Sequence, residues 1–161
     1  MRIDDGMFMT VQCVDRPNVL FEEKEITPIG YDAGGANDTT TMRRRKMRTK
    51  APKKLLTATD LTLTVSYDPI IGSTDIQFLM GRNAIWVLNY PDRSRVPFWG
   101  WLDKFTPGPV KEGEQPTATI TIIPSNQDTT GKEVLPGYIA PSGSTTTAPP
   151  FVYTNLPPIP S

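Results

Sequence analysis

The sequence predicts a mainly β protein: a β-sandwich or barrel with one short flanking helix, a long inter-strand loop and an extended C-terminal arm. Three observations carry this. Residues 61–67 (LTLTVSY) and 117–122 (TATITI) alternate apolar and polar side chains, the period-2 signature of strands with one buried face. Residues 84–90 and 96–105 are apolar-rich runs joined through Pro91-Asp92-Arg93-Ser94. There proline pre-sets φ and aspartate can hydrogen-bond its own backbone, which is a hairpin signal. Finally, 161 residues that are 37% apolar suffice for one compact core, and a lone cysteine means that no intrachain disulfide staples it.

In chain order, 19–27 reads as an extended run. About 33 residues separate it from the strand at Leu61, and they hold Gly30, Gly34, Gly35, Asn37, Thr39, Thr40 and Thr41. A structureless connection beyond ~12–15 residues is improbable inside a compact domain, so this loop, about 28–60, is assigned to an interface. Residues 73–81 (STDIQFLMG) read as a two-turn helix. Ser73 stands at the N-cap, Asp75 in the first turn, Ile76, Leu79 and Met80 on the apolar face, and Gly81 at the end.

The hairpin strands are apolar on both faces. Ile85 and Val87 oppose Trp86, Leu88 and Tyr90, while Phe98 and Leu102 oppose Trp99, Trp101 and Phe105. One sheet with a wet face cannot hide both sets. A second packed layer and a neighbouring subunit are therefore both expected to cover them, leaving Trp86, Tyr90, Phe98, Trp99, Trp101 and Phe105 as core or intersubunit aromatics. Pro97 cannot donate to a ladder, which predicts an edge or bulged strand. From 134 to 161 no side chain is charged, and seven of the 17 prolines fall there. Such a stretch builds no core of its own, yet Leu135, Tyr138, Ile139, Phe151, Val152, Tyr153, Leu156 and Ile159 fit an arm laid on another surface. The domains are read as 1–126, the β unit, and 127–161, the arm.

The function classes narrow by exclusion. The chain has no histidine, so the usual near-neutral acid/base and the commonest metal ligand are missing. The carboxylates at Asp4/Asp5, Glu22/Glu23/Glu25 and Glu112/Glu114 have no pocket implied around them. Cys13 reads as a small buried hydrophobe, and neither glycine-rich phosphate frame occurs. No catalysis, metal or cofactor is expected. The longest apolar run, 84–88, is far too short to span a membrane, and the absence of a signal-peptide core predicts a cytosolic start.

The 17 basic and 17 acidic residues are segregated: 1–38 holds eight acids and three bases, whereas 43–54 holds eight bases and no acid. That basic run is Arg43, Arg44, Arg45, Lys46, Arg48, Lys50, Lys53 and Lys54. Alone it could hold nucleic-acid phosphates. However, no aromatic residue is interleaved for stacking, and the remainder of the chain is acidic, so a charge pair with an identical neighbour fits better.

Several phrases between 38 and 126 resemble the major tail tube protein of long-tailed, non-contractile bacteriophages. They are DTTTM at 38–42, APKKL at 51–55, WVLNYPDRS at 86–94 leading to FWGWL at 98–102, and GEQPTATITI at 113–122. The resemblance implies a tail-tube β fold in sixfold rings stacked into the hollow tube that conducts the genome at ejection. The implied partners are further copies of itself, the tail terminator, baseplate or tip and tape measure proteins, with phage DNA passing through the lumen. Assembly in the bacterial cytoplasm and residence in the virion follow, with 43–54 at inter-ring contacts. Glu22, Glu23, Glu25, Asp92 and Asp103 are candidate lumen acids that would repel phosphates. The alternatives are a contractile-tail tube protein, a terminator or baseplate ring subunit, or a β-barrel that binds nucleic acid through the basic run.

Overall fold

A computed structural model describes residues 9–19, 21–43, 46–140 and 156–159. Arg44 and Arg45 of the basic run, Asp4 and Asp5, and Phe151, Val152 and Tyr153 of the arm lie outside the described residues. Ten strands and two helical turns follow in order: β1 (Thr10–Cys13), β2 (Glu23–Thr27), β3 (Tyr31–Asp32), β4 (Ala36–Asp38), β5 (Lys50–Pro52), β6 (Thr57–Ala58), β7 (Leu61–Ser66), α1 (Pro69–Ser73), α2 (Asp75–Leu79), β8 (Ala84–Asn89), β9 (Arg95–Pro107) and β10 (Thr117–Pro124). Six of the strands make one antiparallel sheet in the order β1-β8-β9-β10-β7-β2.

The alternation read from the sequence is realised in β7, where Leu61, Leu63 and Val65 are buried and Thr62, Thr64 and Ser66 are half-buried. Opposite them in β10 lie Ile122, Ile120 and Ala118, also buried. Val11, Trp86, Leu88, Phe98 and Leu102 complete the core, with Ile76 and Leu79 of α2 packed into it. A single sheet thus supplies nearly all the core, because it coils until its two edge strands meet. The Val11 amide on β1 donates to Glu23 Oε1 on β2 at 2.9 Å, so a side chain bridges the seam where a backbone ladder would close a full barrel.

Two bulges set which residues look inward. In β9, Thr121 pairs with Lys104 but Ile122 pairs with Leu102, so Asp103 is the extra residue. This turns Phe105 to the same face as Leu102, against the core, and corrects the expectation that Phe105 sides with Trp99 and Trp101. In β2, Glu23 pairs with Val65 and Glu25 with Thr64, leaving Lys24 as the extra residue. Glu23 and Glu25 consequently fall on opposite faces. Gly100 is dictated by contact: a Cβ there would lie 2.6 Å from the Ile123 carbonyl oxygen.

The helix begins earlier than predicted and is broken. Asp68 accepts the Ile70 amide through Oδ1 at 2.9 Å and takes the capping role expected of Ser73, whose hydroxyl instead donates to the Pro69 carbonyl. Pro69 at the first helical position accounts for the earlier start. Ile76 and Leu79 are buried as expected, while Met80 stays 43% exposed.

The second apolar face of the hairpin is covered partly from within the chain. Pro97 lies in β9, an interior strand by sheet order, but residues 95–99 pair with β8 on one side only. Their other side is taken by the arm. Arg95 and Ile139 exchange backbone bonds of 3.0 and 2.8 Å, and the Gly137 amide donates to the Pro97 carbonyl. The missing proline N–H therefore falls beside an irregular segment rather than a ladder.

Farther along, the Pro157 and Pro158 carbonyls accept from Arg95 Nη2 (2.6 Å) and Gln12 Nε2 (3.2 Å). Beneath them Asn89, fully buried, donates to Gln12 Oε1 and Thr10 Oγ1 and accepts from Arg95 Nε. Val87, between Gln12 and Pro97 in the ladder, is also fully buried.

Candidate subunit interface

The segment 28–60 is not structureless. Residues 23–66 form one long antiparallel ribbon whose root, β2–β7, belongs to the sheet and whose outer rungs, β3–β6 and β4–β5, do not. Between the rungs the Thr59 amide donates to the Gly30 carbonyl, and beyond them the Thr39 amide donates to that of Thr49. Gly34 and Gly35 adopt φ of +72° and +81°, which only glycine takes without strain. Opposite them the returning strand carries four residues, Lys53, Lys54, Leu55 and Leu56, as a knuckle between β5 and β6. The thirteen steps from Thr27 to Thr40 reach roughly 40 Å at strand rise.

Among the described residues of 31–60 none is buried. Even so, Tyr31 (63%), Met42, Met47, Leu55 (84%) and Leu56 (64%) stand exposed on the ribbon. The bases surround them: Arg43, Lys46, Arg48, Lys50, Lys53 and Lys54 are all exposed. At the tip, a hydrogen bond from the Thr40 hydroxyl holds the Asp38 carboxyl below its ordinary range, and Arg48 approaches Asp38 at 4.0 Å. An isolated two-stranded ribbon is marginal in water, and one that carries exposed apolar residues is a candidate docking surface.

At the opposite end of the β2–β7 pair lies a hollow of about 280 Å³. Phe21, Tyr67 and Phe105 line it, with Tyr67 and Phe105 in ring contact at 6.2 Å. Glu22, Asp68 and Gln115, all exposed, stand at its rim.

The five acids grouped from the sequence are dispersed. Glu22 rims the hollow, Glu25 is exposed on the outer face beside Thr64, and Asp103 occupies the β9 bulge. Asp92 serves the hairpin turn, accepting the Ser94 hydroxyl at 2.6 Å and its amide at 2.9 Å. These bonds hold its carboxyl below the usual range.

Glu23 is committed to the seam, and burial raises its pKa despite the Val11 bond. The native state therefore holds this proton more tightly than the unfolded chain. Stability from the neutral form is complete below the ordinary glutamate pKa and is lost as pH rises through the raised one. Glu23→Gln keeps the accepting oxygen and cannot ionise. Urea denaturation is expected to show it equal to wild type near pH 4 and more stable near pH 7; a deficit at pH 7 would show that the charge itself holds the seam.

Of the six aromatics, Trp86 and Phe98 are fully buried, Phe105 and Tyr90 pack against the core, and Trp99 and Trp101 are half-exposed on the outer face. The Gln12–Asn89–Arg95 network and the hollow are among the features that escaped sequence reading. The former had a signal, since Gln12 and Asn89 are polar residues in apolar strands. The latter joins residues of 21–22, 65–69, 76, 105 and 115, which no local pattern relates.

No family profile and no curated protein matches this sequence. Solved structures with the same architecture do exist. A chain in the virion of a native gene transfer agent particle superposes with a TM-score of 0.55 at 12% identity, over 76% of this chain and 95% of that one. A chain in the six-fold symmetrised baseplate of the anti-feeding prophage gives 0.57 at 9% identity, over 87% and 98%. The fold is shared with these particle components. The superpositions take in nearly the whole of each of those chains.

Proposed function

We propose that this chain is a structural subunit of a phage-type tail, whose copies form sixfold rings that stack into a hollow tube for genome passage. No bond is made or broken in this role. The observation that carries it is the ribbon, whose outer part leaves the sheet, has no buried residue among the described residues of 31–60 and holds five large apolar side chains in the open. Closing that surface takes another copy. The fold shared with a virion chain and a six-fold symmetrised baseplate chain supports the same reading. Under it, Arg43 to Lys54 act between subunits, and Glu25 with its threonine neighbours is the face assigned to the channel, where Lys104 is the cation that the register sets among them and the threonines offer DNA phosphates no charge. The baseplate likeness favours a second reading, a subunit that forms one ring and stops.

Negative-stain microscopy with sizing across concentration tests both: hollow rods support the tube, discrete rings support the single-ring subunit, and a persistent monomer overturns both. Replacing Met42, Met47, Leu55 and Leu56 together by serine is expected to leave a monomer whose unfolding free energy lies within about 0.5 kcal/mol per site of wild type. Assembly that survives this change would remove the ribbon from the interface.

A further inference from the structure

We infer that the acid-rimmed aromatic hollow beside Glu22 and Asp68 is the socket for the Lys53-Lys54-Leu55-Leu56 knuckle of a second copy, a head-to-tail contact along the β2–β7 axis. This rests on the assembling reading above and names its partner surfaces. β2 and β7 are antiparallel, and the ribbon departs from their Thr27/Leu61 end. The hollow is lined by Phe21, Glu22, Tyr67 and Asp68, which continue from the other end of the same two strands. A chain therefore cannot bring its knuckle back to its own socket without leaving the sheet.

The chemistry matches in both parts. Leu55 and Leu56 are exposed aliphatic side chains, and the hollow is floored by Phe21, Tyr67 and Phe105. Lys53 and Lys54 would face Glu22 and Asp68, whose carboxylates stand at the rim. Asp68 spends one oxygen on the Ile70 amide, which leaves the other to receive an ammonium group. Knob and socket at opposite ends of one strand pair make the contact heterologous. Repeating it adds copies head to tail, and where the rotation between copies does not close a ring it builds an open polymer, as stacking requires.

The test uses the full chain and reads the concentration at which sedimentable assemblies first appear. Lys53→Glu with Lys54→Glu, and separately Glu22→Lys, should each raise that concentration by at least about tenfold, because like charges then meet across the contact. All three changes combined should restore assembly. Glu22→Lys leaves Asp68 and its helix cap in place, and unchanged melting would show that each variant is folded. Wild-type assembly that Glu22→Lys does not affect, or that the combined reversal fails to rescue, overturns the socket while the assembling role stands. A wild-type chain that never assembles overturns both.

A second variant gives an independent reading. In assemblies of the Leu55→Cys, Gln115→Cys chain, oxidation is expected to yield a ladder of covalent multimers. Cys13 will not interfere, being buried with its thiol pushed up to about 11 by desolvation. Only monomer bands from intact assemblies would place the knuckle elsewhere.

Discussion

Trp86→Ala is expected to lower unfolding free energy by about 3–5 kcal/mol, a fall of roughly 10 °C in Tm for a domain of this size. Trp86 is fully buried in β8, paired with Cys13 on one side and Phe98 on the other. Its ring therefore spans the middle of the inner face, and truncation leaves a cavity that three strands tied by ladder bonds cannot collapse. Trp86→Phe separates packing from polarity. Among the described residues the indole Nε1 is buried without a hydrogen-bond partner, and burying an unpaired donor costs about 1–3 kcal/mol. Phenylalanine forfeits volume but removes that donor, so its loss should stay below about 2 kcal/mol. Chemical denaturation of the two variants gives the comparison; a Trp86→Phe loss above about 2 kcal/mol would mean that the indole N–H is satisfied by water in solution.

The strands were legible because their information is local. The alternation in 61–67 and 117–122 and the turn at Pro91-Asp92-Arg93-Ser94 each fix an element from neighbours in sequence, and β7, β10 and the β8–β9 hairpin follow. What escaped is set by pairing. The bulges at Lys24 and Asp103 exist only relative to a partner strand, so the facing of Glu23, Glu25 and Phe105 could not be read from β2 or β9 alone. The ribbon escaped for a related reason. Its rungs are two and three residues long, too short for a period to show, and with no core behind them their apolar residues follow no alternation. The assignment of 28–60 to an interface came from the length of the segment, not from its conformation. The candidate interface was half legible. The basic, apolar knuckle is contiguous in sequence, whereas its proposed socket is assembled from five separate stretches.

The arm presents the other large effect. Asn89→Ala is expected to cost about 2–4 kcal/mol and to release the C-terminal segment together with it. The truncated side chain leaves Gln12 Oε1 and Arg95 Nε, both at least half-buried, without the amide that joins them. Arg95 suffers more, since burial already disfavours its charge. Gln12 and Arg95 are the residues that hold the Pro158 and Pro157 carbonyls. Prolines have no amide hydrogen and an extended Pro-Pro unit satisfies none of its own carbonyls, so among the described residues those two donors anchor the segment's carbonyls to the sheet. Loosening them should free it as a unit. Limited proteolysis of the segment, set against hydrogen exchange at Leu88 in β8, reads this directly: in Asn89→Ala the segment should be cut faster while Leu88 stays protected. Gln12→Leu with Arg95→Met removes both donors yet leaves no charge buried, so it should release the arm at a smaller stability loss than Asn89→Ala. If the arm stays protected in that double variant, the apolar contacts of Leu156 and Ile159 hold it, and the polar network serves the sheet alone.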